Sequence, residues 1–359
     1  KEVQPLVKEA EEKEETPVEL FPKLGRLGYL CPAYPEEYGG GGLGKTGDCI
    51  LIEEFSRVCA GIAAAILVTT GLSTYPMLMH GTNEQKKEYL MRAIRGEKIG
   101  AFGLTESNSG SDAGALETTA VRDGEHYIIN GTKIYITAGC ICDFIMVAAT
   151  VDKSKKQRGI ATIIVDSDTP GLSITKMKKL GKHSSSTAEL VFDNCRVPVS
   201  NLVGEEGRGF KYMLEALNGA RITHAATSVG IAQAAFEASL DFAKQRIQFG
   251  QPIGNFQAIA IKLSNMATQI QAARTFMYQV AAQYDQGDEC RKEGPMVKLF
   301  CADMTIETTQ QAMRIHAGAG YMAESDVQRY YRDAILAPTT EGTSEIQQLI
   351  IAAELGLMA

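Results

Sequence analysis

The chain has 359 residues, 45% of them hydrophobic, a formal charge of −7 and a pI near 5.5. That length exceeds what one hydrophobic core usually organises, so two or three packed units are expected. The acidic balance gives no basic footprint for nucleic acid or an anionic membrane surface, although it is compatible with a phosphate-bearing small ligand.

The opening stretch, residues 1–19, is amphipathic and acidic and lacks a signal-peptide apolar core, which suggests a truncated or processed start. Over residues 53–97, Leu, Ile, Ala and Met recur at three- and four-residue spacings opposite helix-favouring charges, the pattern of a mostly α unit. Its longest apolar run, 62–68, is too short to span a bilayer and is expected as a buried helix segment. From about Phe102 the texture changes, and β-branched runs at 126–129, 133–136, 144–151 and 161–165 predict strands. Within HYIINGTKIYIT, Asn130-Gly131 lies between two alternating runs and predicts a two-residue hairpin turn. A further strand over 188–192 runs into Asp193-Asn194 and Pro198, beyond which helical patterns resume.

Phe256, Ile259, Leu263, Met266, Ile270, Ala273, Met277, Val280 and Tyr284 then form one apolar seam, which requires partner helices. Similar patterns cover 209–245 and 296–315, separated by turn residues near Pro252 and Gly294-Pro295. The coarse order is α, then β, then a helical bundle. Eight cysteines are scattered without a framework, which predicts reduced thiols in a cytosol-like compartment. Cys140 and Cys142 lack further ligands at zinc spacing, so no metal site is expected.

Five segments carry candidate chemistry. Gly39-Gly40-Gly41-Gly42-Leu43-Gly44-Lys45-Thr46 satisfies the phosphate-loop pattern G-x-x-x-x-G-K-[ST]. That loop needs a buried strand before it, whereas residues 31–38 hold two prolines and two acids, so the glycines are read as a flexible surface loop and a nucleotidase as a remote alternative. Leu104-Thr105-Glu106-Ser107-Asn108-Ser109-Gly110-Ser111-Asp112 offers exposed amides and short hydroxyl donors suited to a pyrophosphate or the polar edge of a planar ring. Tyr135-Ile136-Thr137 sets an aromatic face beside a hydroxyl. Arg246, before Ile247-Gln248-Phe249-Gly250, either caps helix-end carbonyls or grips a phosphate, and unaided the cap is favoured. In Thr339-Thr340-Glu341-Gly342-Thr343-Ser344-Glu345-Ile346-Gln347, Thr343 or Ser344 is the expected helix cap, which leaves Glu341-Gly342 free to face a ligand.

In this order and at these separations, LTESNSGSDAG, KIYITAG, RIQFGQPIGNFQ and TTEGTSEIQ resemble the motifs of the flavin-dependent acyl-CoA dehydrogenase family over essentially the whole chain. The resemblance implies a mainly α protein with a β-barrel middle domain: an N-terminal helical domain (1–101), the barrel (102–207) and a C-terminal four-helix bundle (208–359). It implies FAD between barrel and bundle, a homotetramer, and reoxidation by an electron-transferring flavoprotein. The compartment would be the cytoplasm in a bacterium or the mitochondrial matrix in a eukaryote.

By motif position, Phe102, Leu104, Thr105, Gly110, Ser111, Tyr135, Ile136 and Thr137 would contact FAD, with Ser111 also near the thioester. Gln248, Phe249 and Phe256 would also bind the cofactor, Arg246, Gln257 and the backbone of Arg314 to Gly318 would reach the FAD of a neighbouring subunit, and Thr343 and Glu345 would return to the flavin. Asn218, Arg221, Thr340 and Gly342 would line the substrate. Glu341 would remove the α-proton while the β-hydrogen leaves as hydride to FAD, and its backbone amide with a ribityl hydroxyl would hold the thioester oxygen.

Departures from the family pattern bear on substrate. Tyr135 replaces a frequent Trp and keeps an aromatic face, while Thr340 replaces a frequent Tyr and widens the acyl pocket towards branched or cyclic groups. Arg314 and Asn218 stand where Gln and an acid are frequent. Ala65 falls where glutaryl-specific members carry an Arg, which disfavours a dicarboxylyl substrate. Thr69 and Thr70 occupy the region where some members acting on cyclic acyl groups place an Asp base. The same fold run as an enoyl-CoA reductase is the alternative.

Overall fold

The computed structural model describes residues 2–357. Short helices α1 (Val7–Lys13) and α2 (Leu20–Arg26) precede α3 (Gly44–Val58) and α4 (Ala60–Leu67). Helix α3 starts nine residues before the expected pattern because its first donors are satisfied from afar. Asp285 accepts from the backbone N–H of Lys45, and from the N–H and Oγ1 of Thr46 at 3.1 and 2.7 Å. A carboxylate on the positive end of a helix is favourable, and here it occupies the amides that a phosphate would need. Lys45 is buried and paired with Asp48 at 2.8 Å, and residues 31–38 contain a 3₁₀ turn rather than a strand. The glycine loop is also pinned, not flexible: Leu43 N–H donates to Pro32 O at 2.8 Å, and a Cβ on Gly40 would meet Tyr34 O at 2.3 Å.

The apolar run of α4 extends further than 62–68. It continues through a π turn (Val68–Ser73) and Tyr75–His80, so that Ala60–His80 is long and apolar enough to cross a membrane by length and composition alone. In this fold 72% of its most apolar window is buried, with Ile62, Ala65, Ile66 and Leu72 in one cluster with Ile222, Ala225 and Val229.

Seven strands form a curled sheet: β1 (Gly100–Gly103), β2 (Thr119–Asp123), β3 (His126–Ile136), β4 (Phe144–Thr150), β5 (Ile160–Asp166), β6 (Leu172–Lys176) and β7 (Ala188–Pro198). Their order is β1-β4-β2-β3-β7-β6, with β5 on β4. The predicted hairpin at Asn130-Gly131 is not made. Strand β3 runs straight through it with a register shift between Ile129 and Gly131, and the reversal falls at Asp123-Gly124-Glu125, where Gly124 has φ 59°. Gly131 serves close packing instead, since a Cβ there would lie 2.4 Å from Thr118 Oγ1.

The C-terminal part comprises α5 (Gly209–Gln245), α6 (Gln257–Asp285), α7 (Glu293–His316), α8 (Asp326–Ala334) and α9 (Ser344–Glu354). The α6 seam is buried as its spacing requires, from Leu263 through Met266, Ile270, Ala273 and Met277 to Val280. Gly294-Pro295 lies inside the first turn of α7, where the missing proline N–H has no intrahelical acceptor to lose. Between α5 and α6 a small hairpin pairs β8 (Ile247–Gln248) with β9 (Gln251–Pro252) across Phe249-Gly250, both with positive φ.

Candidate active site

Glu341 is set by two consecutive left-handed residues, Glu341 at φ 55° and Gly342 at φ 90°. Such a turn persists only if its surroundings fix it. Two buried side chains do so. Gln347, in the first turn of α9, donates from Nε2 to the carbonyls of Glu341 (3.1 Å) and Gly342 (2.8 Å), and Lys298 of α7 donates to Gly342 O at 2.9 Å. Thr343 then caps α9 by accepting from Ile346 N–H at 3.3 Å. Gln347 closes the TTEGTSEIQ segment but had no role assigned to it from the sequence, and Lys298 was not singled out. The available signal was a lysine on a helix face whose three- and four-residue neighbours, Cys301 and Ala302, are apolar.

The Glu341 side chain is 10% exposed, and its Oε2 is buried without a hydrogen-bond partner. Burial raises its carboxyl to about 7, against the pull of Lys298, Lys182 and Arg221. Its Oε1 lies 3.8 Å from Nδ1 of His224, whose Nε2 is 3.3 Å from Thr340 Oγ1. Burial holds His224 well below its usual range, so it is neutral near pH 7. His224 lies one turn beyond Arg221 on α5, and Arg221 donates to Asn218 Oδ1 at 3.3 Å. The structure thus joins Thr340, Glu341 and Gly342 through His224, which sequence reasoning missed, and sets the Asn218–Arg221 pair one turn back along α5.

A second group lies along the sheet. The backbone of Thr105 accepts from Ile134 N–H at 3.0 Å, joining the 104–111 loop to the end of β3. Beneath that contact Lys133, fully buried, donates to Leu104 O (3.0 Å) and Glu106 Oε1 (2.7 Å). The Glu106 carboxylate also accepts from the N–H groups of Glu117 and Thr118 at 2.6 and 3.0 Å. Burial pushes Lys133 down to about 8, while Lys133 and these donors keep Glu106 below its usual value despite burial. Above this anchor Tyr135, at φ 61°, is 64% exposed, Thr137 and Phe102 are half-buried, Leu104 and Ile136 are buried, and Gly110 and Ser111 are open to solvent.

Most of the remaining predicted residues lie on elements other than the Glu341 turn. Arg246, Gln248, Phe249, Gln257, Arg314 and Gly318 are exposed and Phe256 is half-buried; Phe249 reaches 94% exposure. The favoured cap by Arg246 is not formed, since its side chain bonds no carbonyl among the described residues. Thr343 and Glu345 flank the start of α9. A groove of about 800 Å³ runs between α6 and α7 past Ile261, Phe300 and Glu307 and does not include Glu341.

Family models match the chain in three consecutive segments: acyl-CoA dehydrogenase N-terminal domain over residues 1–97, middle domain over 101–195 and C-terminal domain over 207–356. The chain belongs to the acyl-CoA dehydrogenase family. It is 42% identical to an acyl-CoA dehydrogenase of Bacillus subtilis, over 98% of this chain and 93% of that protein. It is 41% identical to an acryloyl-CoA reductase (NADH) of Anaerotignum propionicum, over 98% and 90% of the two chains. Butyryl-CoA dehydrogenase from Megasphaera elsdenii superimposes with a TM-score of 0.96 at 38% identity, covering 99% of this chain and 94% of that one. Acyl-CoA dehydrogenases are FAD-dependent oxidoreductases, and the site fits the cofactor: an exposed tyrosine face, flanking hydroxyls and open glycine backbone stand over a buried ion pair that fixes their spacing.

Proposed function

We propose that this acyl-CoA dehydrogenase oxidises a short, branched or cyclic acyl-CoA to the enoyl-CoA, with Glu341 as the base that removes the α-proton. The observation that carries this reading is a buried carboxylate with a free oxygen, lifted towards neutrality, on a turn held by Gln347 and Lys298. FAD supplies the hydride acceptor when bound. Tyr135, Ile136, Thr137 and the 102–111 segment are proposed to hold its ring, and Thr343 with Glu345 to meet it from the start of α9. The Glu341 N–H donates to no acceptor among the described residues, so it is available to the thioester oxygen. Thr340, in place of a bulkier residue, leaves width beside Glu341 for a branched or cyclic group.

Exposed Arg246, Gln248, Phe249, Gln257, Arg314 and Gly318, with half-buried Phe256, are assigned to a neighbouring subunit's cofactor in a homotetramer. Domain limits are placed at 101/102 and 207/208. An electron-transferring flavoprotein is the proposed electron acceptor, in the cytoplasm of a bacterium or the matrix of a mitochondrion. The reverse reaction, enoyl-CoA reduction, is a second reading favoured by the 41% identity to an acryloyl-CoA reductase.

Anaerobic absorbance titration of the purified flavoprotein with a panel of acyl-CoAs tests the assignment. Bleaching in the wild type, with binding but at least a thousandfold slower bleaching in Glu341→Gln, is the expected result. A protein unable to take up FAD would sink the reading, and an unimpaired variant would move the base elsewhere.

A further inference from the structure

Six cations are buried among the described residues: Lys45, Lys133, Lys182, Arg221, Lys298 and Arg329. Five make a direct polar contact: Lys45, Lys133 and Arg329 with the carboxylates of Asp48 (2.8 Å), Glu106 (2.7 Å) and Asp326 (3.2 Å), Arg221 with the Asn218 amide oxygen (3.3 Å) and Lys298 with the Gly342 carbonyl (2.9 Å). Lys182 is 5% exposed, and among the described residues its Nζ has neither a hydrogen bond nor a carboxylate within 4.0 Å. That Nζ is not among the fully enclosed unpartnered atoms, so it keeps access to open space, and an ammonium with no direct contact in so buried a residue either neutralises or takes a partner from outside the chain.

The main chain around Lys182 is fixed. Its N–H donates to Asp333 Oδ1, its carbonyl accepts from Lys179 Nζ at 2.7 Å, and the next turn is tied down where Thr16 Oγ1 donates to Ser184 O at 2.6 Å. With φ 49°, Lys182 sits in a left-handed turn against the start of α4, so close that a Cβ on Gly61 would lie 2.2 Å from Ser184 Oγ and 3.3 Å from Lys182 O. Ala65 is one helical turn beyond Gly61, on the same side of α4. Burial lowers the Lys182 ammonium, opposed by the charges of Asp333 and Glu341; Lys182 in turn bears on both Glu341 and His224. The wall beside the proposed base is polar as well, since His224 and Thr340 face each other there at 3.3 Å.

We propose that the acyl chamber takes an acyl-CoA whose chain ends in a carboxylate or another compact anion, and that Lys182 is the residue that pairs with it. The inference rests on the acyl-CoA dehydrogenase reading above and narrows its substrate. It also revises the expectation drawn from Ala65: α4 carries no cation there, but the loop packed on α4 does. A purely hydrocarbon chain would leave Lys182 buried and unpaired, whereas a distal anion satisfies it without adding a second unpaired charge.

The test is anaerobic flavin reduction and equilibrium binding with length-matched pairs: butyryl- against succinyl-CoA, pentanoyl- against glutaryl-CoA, and hexanoyl- against adipyl-CoA. In the wild-type holoenzyme at least one carboxylate-bearing member should bind and reduce flavin tenfold or more better than its partner. Lys182→Met should reverse that ratio while leaving flavin content unchanged, and Lys182→Arg should largely keep it. A wild type that prefers the hydrocarbon member of all three pairs overturns the proposal but leaves the acyl-CoA dehydrogenase reading standing, and this comparison needs no variant to fold. A preference for the anion that Lys182→Met does not change removes Lys182 from the role. Flavin left oxidised by every acyl-CoA defeats both readings.

Discussion

Glu341 has a carboxyl held near pH 7 by burial, which ties the pH dependence of stability to that of catalysis. Because its folded-state value lies above the ordinary one, the folded protein binds this proton more tightly than the unfolded chain does. Its contribution is therefore fully favourable below pH 4.5 and is lost as pH rises through about 7. At roughly 1.4 kcal/mol per unit, the loss is on the order of 3 kcal/mol. The FAD-free form of Glu341→Gln should match the wild type in thermal stability near pH 4.5 and exceed it at pH 8; equal melting temperatures at pH 8 would contradict the raised value. If this carboxylate is the base, kcat/KM should rise about tenfold per unit below pH 7 and level off above it. A profile that is flat from pH 6 to 8 would point to another base.

At the level of elements, the contact between β3 and the 104–111 loop depends on Lys133 and Glu106. Removing one partner of a buried pair leaves the other uncompensated, a loss of about 3–5 kcal/mol. Lys133→Met should therefore lower the melting temperature and release FAD on gel filtration, whereas a variant that keeps its full flavin content would deny the pair a positioning role. The same strand marks how far the sequence could be read. Helix α6 was legible from its seam, because 3.6-residue periodicity records which face is buried. Strands β4 and β5 were legible from their β-branched runs. Asn130-Gly131 misled, since it meets the local demands of a reverse turn as well as Asp123-Gly124 does, and the choice between them is made by packing against Thr118 and by pairing with β7. The segment around Glu341 announced itself through motif and spacing. The roles of Lys298, Gln347, His224 and Lys182 did not, because each looks like an ordinary polar residue until the fold brings it against the Glu341 turn or a carboxylate on another element.

Across the whole molecule, the most exposed large apolar side chain in the two-residue turn is Phe249, 94% open at the tip of the β8–β9 hairpin, with Phe256 6.1 Å behind it in an edge-to-face contact. A monomer gains nothing from such a tip, while a tetramer could bury it. On that reading Phe249→Ser should shift the species measured by light scattering to a smaller assembly and weaken FAD retention, and an unchanged mass with unchanged flavin would exclude the tip from the interface. The Asp285 carboxylate that caps α3 has a consequence of a different kind. It lies about 240 residues downstream of Lys45, and the partners of Ile62 and Ile66 at Ile222 and Val229 lie some 160 residues downstream. At about 5–20 residues per second, a ribosome takes roughly 12–48 s to deliver that cap after α3 has emerged. The partners on α5 come sooner, after roughly 8–32 s at the same rate, and until then Ile62 and Ile66 have only the N-terminal members of their cluster, such as Leu20, Phe21 and Ile52, so the nascent N-terminal third should be a chaperone client until α5 leaves the exit tunnel.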